Sequence, residues 1–262
     1  LHLSLRRQRQ MCIRDRTSSG HAAETLVLFP LMAPGMEVIV SNKLYGGTIN
    51  LMGKSFRKFG WNAVFVDNDN PEAFRAAVTE KTRAIFVESL ANPGGVIVDL
   101  EAIAKIAQEA EVPLIVDNTM ATPWLCRPFE WGADLVVHST TKFLSGQGNA
   151  MGGIVIDSGR FPWFGNAKYP TLSEPCPDYN GLTFAETFGD MAFTLYSHAV
   201  SLRDLGCTQS PMNAWITLNG VETLPLRMER HVENAQKVAG FLQQHPSVEW
   251  VSYAGLSSSP YY

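Results

Sequence analysis

The chain has 262 residues, of which 45% are hydrophobic and 18% are charged, and its formal net charge is −4. This composition can bury a full core in one large domain, or in one domain and part of another, and it excludes disorder throughout the chain. Residues 1–16 carry five arginines and one aspartate, a net +4, so residues 17–262 carry −8. An acidic body without a basic face is unsuited to nucleic acid, and no stretch is long and apolar enough to span a bilayer.

Residues 1–16 lack the continuous apolar core of a signal peptide, and their MCIRDR string is similar to translated sequencing-adapter read-through. We therefore expect a non-native or disordered tail here. The four cysteines have neither C-x-x-C nor disulfide-framework spacing, which is typical of a reducing compartment. We expect the protein to be cytoplasmic.

Short apolar runs recur along the chain from residue 36 onward. Each run is three to five residues long, β-branched and continuous rather than alternating, which predicts strands buried on both faces. The runs are residues 38–40, 63–66, 84–87, 114–116, 135–137 and 154–156.

Helical patterns lie between several of these runs. Asn70 and Pro71 form a good cap and first-turn pair before an apolar pattern. Asp99 precedes apolar residues at the i, i+3, i+4, i+7 spacing of a helix. This β-α-β repetition predicts an α/β fold with a mostly parallel, twisted sheet and helices on both of its faces.

The pattern changes after about residue 160. Residues 161–184 are rich in proline, glycine and aromatic residues, which predicts a long ordered loop or insertion. We expect helical segments over 186–205 and 211–245, and the final VEWVSYAGLSSSPYY to begin another strand. We divide the chain into a large domain, residues 17–220, and a linking helix with the truncated start of a second domain, residues 221–262.

Polar residues follow three of the predicted strands at their carboxyl ends. They are Glu88-Ser89, Asp117-Asn118-Thr119 and the run from His138 to Lys142. Open parallel sheets bind ligands at this edge, and a β-α-β step usually makes neighbouring strands, so Asp117 and Lys142 should lie close together. A structural ion pair is the simpler alternative, but it does not require the hydroxyls of Ser139 and Thr141 beside the lysine.

A further polar pair begins the first helix-like run. Ser19 and Gly20 stand where backbone N–H groups and a helix N-terminus can hold a phosphate, although a plain helix cap is the commoner use of such a glycine. A lysine, a carboxylate, hydroxyls and a phosphate cradle together suit pyridoxal 5'-phosphate. That cofactor needs a Schiff-base amine, an anion for its ring nitrogen, and phosphate donors.

Three competing motifs are not supported. The string STTK matches S-x-x-K of serine β-lactamases, but the S-D-N and K-T-G elements are absent from the sequence. GQGNAMGG is not G-x-G-x-x-G and does not join a strand directly to a helix. The histidines show no H-x-x-x-H or H-E-x-x-H spacing, so we expect no metal site.

Several strings resemble a known family. They are SSGHAAETL (18–26), SNKLYGGTINL (41–51), ESLANPGG (88–95) and VDNTMATPWLCRPFEWGADLVVHSTTKFLSGQGNAMGG (116–153). Residues 17–262 are similar to the fold-type I pyridoxal-phosphate enzymes of cysteine and methionine metabolism. The resemblance implies an aspartate-aminotransferase-like large domain followed by the truncated start of a C-terminal domain. The insertion at 161–184 favours the family's sulfhydrylases over its shorter γ-lyases and γ-synthases.

The resemblance also implies roles for particular residues. Lys142 would form the Schiff base and move the substrate α-proton, with Tyr45 stacking on the ring and assisting proton transfer. Asp117 would keep the ring nitrogen protonated, and Asn92 would lie near the ring hydroxyl and the substrate carboxylate. The implied phosphate ligands are Ser19, Gly20, His21 through its backbone N–H, Ser139 and Thr141.

The implied reaction is a γ-replacement on O-acetyl-L-homoserine, in which sulfide gives L-homocysteine or methanethiol gives L-methionine, with release of acetate. Cystathionine γ-synthase and methionine γ-lyase are alternatives within the family, and the sequence leaves acetyl or succinyl leaving groups open. A catalytically incomplete fragment that only binds cofactor or a partner is an alternative of another class.

The resemblance implies a homo-oligomer, a dimer of active dimers, with no nucleic-acid or membrane partner. In such an assembly a tyrosine and an arginine of the neighbouring subunit complete the phosphate site. We expect the equivalents of those residues to precede residue 17, and the arginine for the substrate carboxylate to follow Tyr262.

Overall fold

The computed structural model describes residues 14–67, 70–259 and 261–262. A seven-stranded sheet crosses this part of the chain in the order β1-β7-β6-β5-β4-β2-β3. The strands are β1 Arg14–Thr17, β2 Glu37–Ser41, β3 Asn62–Val66, β4 Thr82–Glu88, β5 Leu114–Asp117, β6 Leu135–Ser139 and β7 Gly153–Asp157. The predicted apolar runs are therefore strands β2 to β7.

The helices connect these strands and then continue beyond the sheet. The α-helices are α1 Gly20–Leu28, α2 Gly46–Asn50, α3 Pro71–Ala76, α4 Leu100–Glu109, α5 Thr122–Leu125, α6 Pro170–Ser173, α7 Phe184–Phe188, α8 Ala192–Tyr196, α9 Arg203–Leu205, α10 Pro211–Glu222 and α11 Leu224–Gln243. The predicted caps are confirmed, because the Asn70 side chain accepts from Glu72 N and the Asp99 side chain accepts from Ala102 N. Short 3₁₀ turns cover Phe56–Phe59, Pro128–Trp131, Pro177–Tyr179 and Gly189–Met191, and π-helical turns cover Leu51–Ser55 and Ser197–Leu202.

The sheet is mixed but mostly parallel. Strands β2 to β6 run parallel, whereas β7 is antiparallel to both of its neighbours, β1 and β6. Strand β5 lies directly beside β6, with Asp117 opposite Val137. The predicted adjacency of these two strands is confirmed.

Each face of the sheet packs against its own hydrophobic cluster. On one face, Val38 and Val40 of β2 pack with residues of α1 and of the long segment after β7. On the other face, Ile39 of the same strand packs with residues of α3 and α4. Successive strand residues point to opposite faces, so continuous apolar runs are what a sheet covered on both sides requires.

The predicted insertion is an ordered segment that contains α6 and the 3₁₀ turn Pro177–Tyr179. An aromatic cluster fixes it to the sheet: Trp163 stacks on Phe193 with ring centroids 5.4 Å apart and meets Tyr169 edge-on. The Tyr169 hydroxyl donates to the carbonyl oxygen of Arg83 in β4, over 2.9 Å. Aromatic burial of this kind is what lets a segment rich in proline and glycine hold one conformation.

The tail predicted over residues 1–16 is wrong for its last three residues. Arg14, Asp15 and Arg16 belong to β1 and pair with β7. The Asp15 carboxylate is buried and lies 2.9 Å from the Nδ1 atom of His198. Residues 1–13 lie outside the described residues. The clustered arginines made this strand unrecognisable in the sequence, because edge strands tolerate charged residues that a central strand would exclude.

The predicted helices 186–205 and 211–245 are both interrupted. The first is a series of α, 3₁₀ and π turns running from α7 to α9. The second bends at Thr223, the residue between α10 and α11, just after the proposed domain boundary at residue 220. Pro225 lacks the N–H that would continue the hydrogen-bond ladder of α10, which explains the bend.

The strand predicted near the end of the chain is absent from the described residues, where 248–253 are irregular. Trp250 is largely exposed and Val248 N closes a turn onto His245 O. A strand needs a partner, and these residues pair with no sheet edge in the described part of the chain. Among the described residues, no helix combines the length and apolarity needed to cross a membrane.

Candidate active site

Three strands end side by side at one edge of the sheet. Glu88 ends β4 and lies opposite Asp117, which ends β5, while β6 runs on into the turn that carries Lys142. The polar residues predicted from separate strand ends therefore meet at one edge. Ligands of open α/β sheets bind in this position.

A hydrogen-bonded chain links Asp117 to the end of β6. The Asp117 Oδ1 atom accepts from Thr119 N over 2.8 Å and from Thr119 Oγ1 over 2.5 Å. The Thr119 Oγ1 atom in turn accepts from Ser139 N over 2.7 Å. Burial raises the pKa of Asp117 to about 6, although the Thr119 bonds oppose that shift. A cation beside this carboxylate would stabilise its charged form.

The N-terminus of α1 packs against the same strand end. Ser19 caps the helix by accepting from Ala22 N over 3.1 Å, so the amides of Gly20 and His21 precede the first helical bonds. A Cβ atom on Gly20 would lie 2.7 Å from the Cβ atom of Ser139, which shows why a glycine is needed here. The structure thus brings Ser19, Gly20, His21 and Ser139 together as predicted.

Thr141 lies beside this cluster but its hydroxyl is already engaged. It donates to Gly152 O over 3.2 Å and accepts from Gly152 N over 3.1 Å. The next residue, Gly153, approaches Ser19 so closely that a Cβ atom would lie 2.2 Å from the Ser19 carbonyl oxygen. The hydroxyl of Thr141 therefore fixes the start of β7 against the α1 N-terminus.

Tyr45 and His21 form an aromatic pair at the mouth of the site. Their ring centroids are 5.8 Å apart at an interplanar angle of 32°, and the Tyr45 side chain is about half exposed. Gly47 packs beneath both rings, since a Cβ atom there would lie 2.4 Å from Tyr45 Cε1 and 2.7 Å from His21 Nε2. The exposed tyrosine face is available to stack on a flat ligand.

Glu88 holds two predicted site residues through their backbones. Its Oε1 atom accepts from Tyr45 N over 2.7 Å, and its Oε2 atom accepts from Asn92 N over 3.0 Å. Burial, and then the charge of Asp117, raise the pKa of Glu88 to about 7 despite these bonds. The position of Glu88 at a strand end was visible in the sequence, but its two backbone partners were not.

Glu24 is a site residue that the sequence analysis missed. It lies on α1 with only 3% of its surface exposed, and its Oε1 atom accepts from Thr48 Oγ1 over 2.7 Å. Burial raises the pKa of Glu24 well above its usual range, and the charges of Asp117 and Glu88 add to the effect. An acidic residue within the apolar run AAETLVL was the one available signal.

Lys142 has an exposed side chain that forms no hydrogen bond or ion pair within the described part of the chain. Its carbonyl oxygen accepts from Gly146 N over 2.8 Å, so the backbone of the turn is held while the amine is left free. An unpartnered amine does not fit the structural ion pair that the sequence left open. It does fit a nucleophile that condenses with a carbonyl group.

These residues fit pyridoxal phosphate. A free amine, a buried carboxylate without a cation, a glycine-lined helix N-terminus and an aromatic face lie at one edge of the sheet. Within residues 14–67, 70–259 and 261–262, no group of three or more His, Cys, Asp or Glu side chains is arranged to hold a metal ion.

Comparisons with known proteins agree with this fit. The family model described as Cys/Met metabolism PLP-dependent enzyme matches residues 10–262. The O-acetyl-L-homoserine sulfhydrylase of Leptospira meyeri is 51% identical over 94% of this chain and 57% of its own length. The homocysteine/cysteine synthase of Saccharomyces cerevisiae is 44% identical over 92% of this chain and 55% of its own length.

Solved structures give the same picture. A putative O-acetylhomoserine (thiol)-lyase of Campylobacter jejuni, which contains an N'-pyridoxyl-lysine-5'-monophosphate residue, matches with a TM-score of 0.92 at 38% identity. The match covers 97% of this chain and 64% of that one. The chain spans a little over half the length of the curated relatives from L. meyeri and S. cerevisiae. Because the family model covers nearly all of its residues, the chain belongs to the Cys/Met metabolism family of PLP-dependent enzymes.

Proposed function

We propose that the whole protein catalyses a γ-replacement on O-acetyl-L-homoserine, in which sulfide gives L-homocysteine and acetate, or methanethiol gives L-methionine. One observation carries the proposal: β5 delivers a buried Asp117 to the sheet edge where β6 leads into the free amine of Lys142. The names of the relatives from L. meyeri and S. cerevisiae support a sulfur nucleophile and a homoserine-derived substrate.

When bound, the cofactor supplies an aldehyde carbon for amines and a ring that accepts electrons. Lys142 would hold the cofactor through its Nζ atom, and its freed amine would move the proton of the substrate α-carbon. Asp117 keeps a proton on the ring nitrogen, because a buried carboxylate without another cation is stabilised by a positive charge beside it. Tyr45 covers the ring and assists the proton transfer.

The remaining site residues bind and orient. Ser19, Gly20 and His21 hold the phosphate with the N-terminus of α1, where amides and the helix dipole favour an anion. Ser139 at the end of β6 and Thr141 in the turn after it would complete that cradle, and for Thr141 this requires its hydroxyl to turn from Gly152 O to the phosphate. Asn92 would bind near the ring hydroxyl and the substrate carboxylate, and Glu88 fixes its backbone.

Mixing the purified chain with pyridoxal phosphate tests the role of Lys142. We expect a visible absorption band from the lysine-bound cofactor, its loss in Lys142→Ala, and its retention in Lys105→Ala, which removes an exposed lysine of α4. A loss of at least about tenfold in bound chromophore is expected, because no other amine takes the place of a positioned nucleophile. A band of equal strength in Lys142→Ala would refute the assignment.

Product analysis separates the reactions of the family. The full-length protein should convert O-acetylhomoserine with sulfide to homocysteine faster than it converts O-succinylhomoserine with sulfide or O-acetylhomoserine with cysteine. Preferential use of cysteine would favour cystathionine γ-synthase, and release of a keto acid without a thiol would favour a γ-lyase.

We also propose that the whole protein is a cytoplasmic homo-oligomer, a dimer of active dimers, without nucleic-acid or membrane partners. The unpaired thiols of Cys126, Cys176 and Cys207 support a reducing compartment. The division into residues 17–220 and 221–262 belongs to the same proposal. Light scattering of the full-length protein tests the assembly, and a monomer would refute it.

A further inference from the structure

Two helices, α10 and α11, pack against the turn that carries Lys142. Residues Phe143 and Leu144 pack with Leu224 and Met228 of α11 in a small hydrophobic cluster of their own. From α10, Gly220 approaches so closely that a Cβ atom would lie 2.3 Å from the Ser145 carbonyl oxygen. Residues of both α10 and α11 therefore contact this turn.

Arg227 of α11 makes the polar contacts in this region. Its NH1 group donates to Phe143 O over 2.7 Å, and Phe143 directly follows Lys142. Its NH2 group donates to Gly220 O over 2.6 Å, and its Nε group donates to Thr223 Oγ1 over 3.1 Å. Arg227 has no carboxylate partner within the described part of the chain, and these neutral acceptors receive one N–H from each of its three guanidinium nitrogens.

Gly146 makes this arrangement possible. Its φ angle is +80°, and a Cβ atom there would lie 2.5 Å from the Cζ atom of Arg227. The Gly146 amide donates to Lys142 O over 2.8 Å. One glycine thus contacts the guanidinium and also closes the turn that carries the lysine.

We infer that Arg227 is a positioning residue that holds the Phe143 carbonyl and thereby fixes the direction in which Lys142 presents its amine. The inference rests on the proposed role of Lys142. The simpler alternative is that Arg227 only caps the C-terminus of α10 through Gly220, a common use of arginine. If Arg227 were only a cap, its loss would destabilise the helices. It would not change the fraction of retained cofactor that is bonded to Lys142.

The experiment compares Arg227→Met with Arg230→Met, which removes an exposed arginine three residues along the same helix that pairs with Glu233. Two quantities are measured: hydrogen exchange of the 143–147 amides, and the ratio of lysine-bonded to total retained pyridoxal phosphate. For Arg227→Met we expect hydrogen exchange of the Gly146 amide to become about tenfold faster. We expect the ratio of lysine-bonded to total retained cofactor to fall by about tenfold, as loss of a charged hydrogen bond predicts. Arg230→Met should match the parent, and Arg227→Lys, which keeps one positively charged donor group, should recover part of the ratio.

Two other outcomes would contradict the roles given to Arg227 and Lys142. If Arg227→Met lowers the melting temperature but leaves both quantities at the Arg230→Met level, Arg227 is only a helix cap. If the parent chain forms no bond between cofactor and lysine, the proposed role of Lys142 fails in this chain, while the exchange of the Gly146 amide still decides whether Arg227 holds the turn.

A second pair of variants covers the case in which Arg227→Met does not fold. Gly146 and Gly148 both have positive φ, so alanine strains either position, but only at Gly146 does the new Cβ atom meet Arg227. We expect Gly146→Ala to lower the bonded fraction of cofactor well below that of Gly148→Ala. Equal behaviour of the two variants would overturn the inference.

Discussion

At the scale of single residues, Glu24 shows how a buried carboxyl group is tolerated beside two others. Its acceptor bond from Thr48 survives in Glu24→Gln, whereas Glu24→Leu leaves a fully buried hydroxyl without an acceptor. We expect Glu24→Leu to lower the free energy of unfolding by about 1–3 kcal/mol, and Glu24→Gln to stay near the parent at neutral pH. Urea titrations of both variants test this, and equal losses would show that the Thr48 bond contributes nothing.

At the scale of elements, the contact between α1 and β6 sets the space in which we propose that the phosphate binds. Gly20→Ala places a Cβ atom against Ser139, so the helix N-terminus must move away from the strand end. We expect the affinity for pyridoxal phosphate to fall by about tenfold or more, since the phosphate donors move with the helix. Gly240→Ala is the matched control, because nothing lies within 4 Å of its new Cβ atom on α11. Similar affinities of the two variants would contradict this account of the cradle.

At the scale of the whole molecule, several buried carboxyl groups have raised pKa values. Burial raises the pKa to about 7 for Glu88 and Asp157, and to about 6 for Asp117 and Asp134. Between their unfolded pKa values, near 4, and these folded values, such groups hold more protons in the folded chain than in the unfolded chain. The free energy of unfolding therefore falls as the pH rises through that range. Burial lowers the pKa of His138 to about 4. This histidine therefore makes stability rise as the pH increases from about 4 to about 6.5, its unfolded pKa.

We therefore expect the melting temperature of the cofactor-free chain to fall between about pH 5 and pH 7, because six carboxyl groups whose pKa burial raises, these four with Asp15 and Glu24, outweigh the two histidines whose pKa burial lowers, His21 and His138. Asp157→Asn keeps the acceptor for Gly159 N and should reduce the slope. Differential scanning calorimetry across this pH range provides the measurement. A melting temperature that rises over the same interval would show that the carboxyl groups do not dominate.

Prediction from sequence succeeded where a residue's position follows from the order of strands. Asp117 ends β5, and Lys142 lies in the turn that follows the neighbouring parallel strand β6, so β-α-β repetition alone brought them to one edge. It failed for Glu24, whose partner Thr48 lies on a different element, and for Arg227, which donates to two backbone carbonyl oxygens that no residue pattern reveals. It failed for β1 because arginines at a sheet edge are indistinguishable from those of a tail.

The antiparallel pairing of β1 with β7 bears on the order in which the chain folds. Thr17 ends β1 and lies opposite Gly153, and only Ser18 separates it from the cap of α1. The phosphate cradle thus joins the first described strand to the last strand of the sheet, a contact of very high sequence separation. Contacts of this kind form slowly because a long loop must close first. We therefore expect capture of cofactor to be a late event, which follows completion of the sheet rather than guiding it.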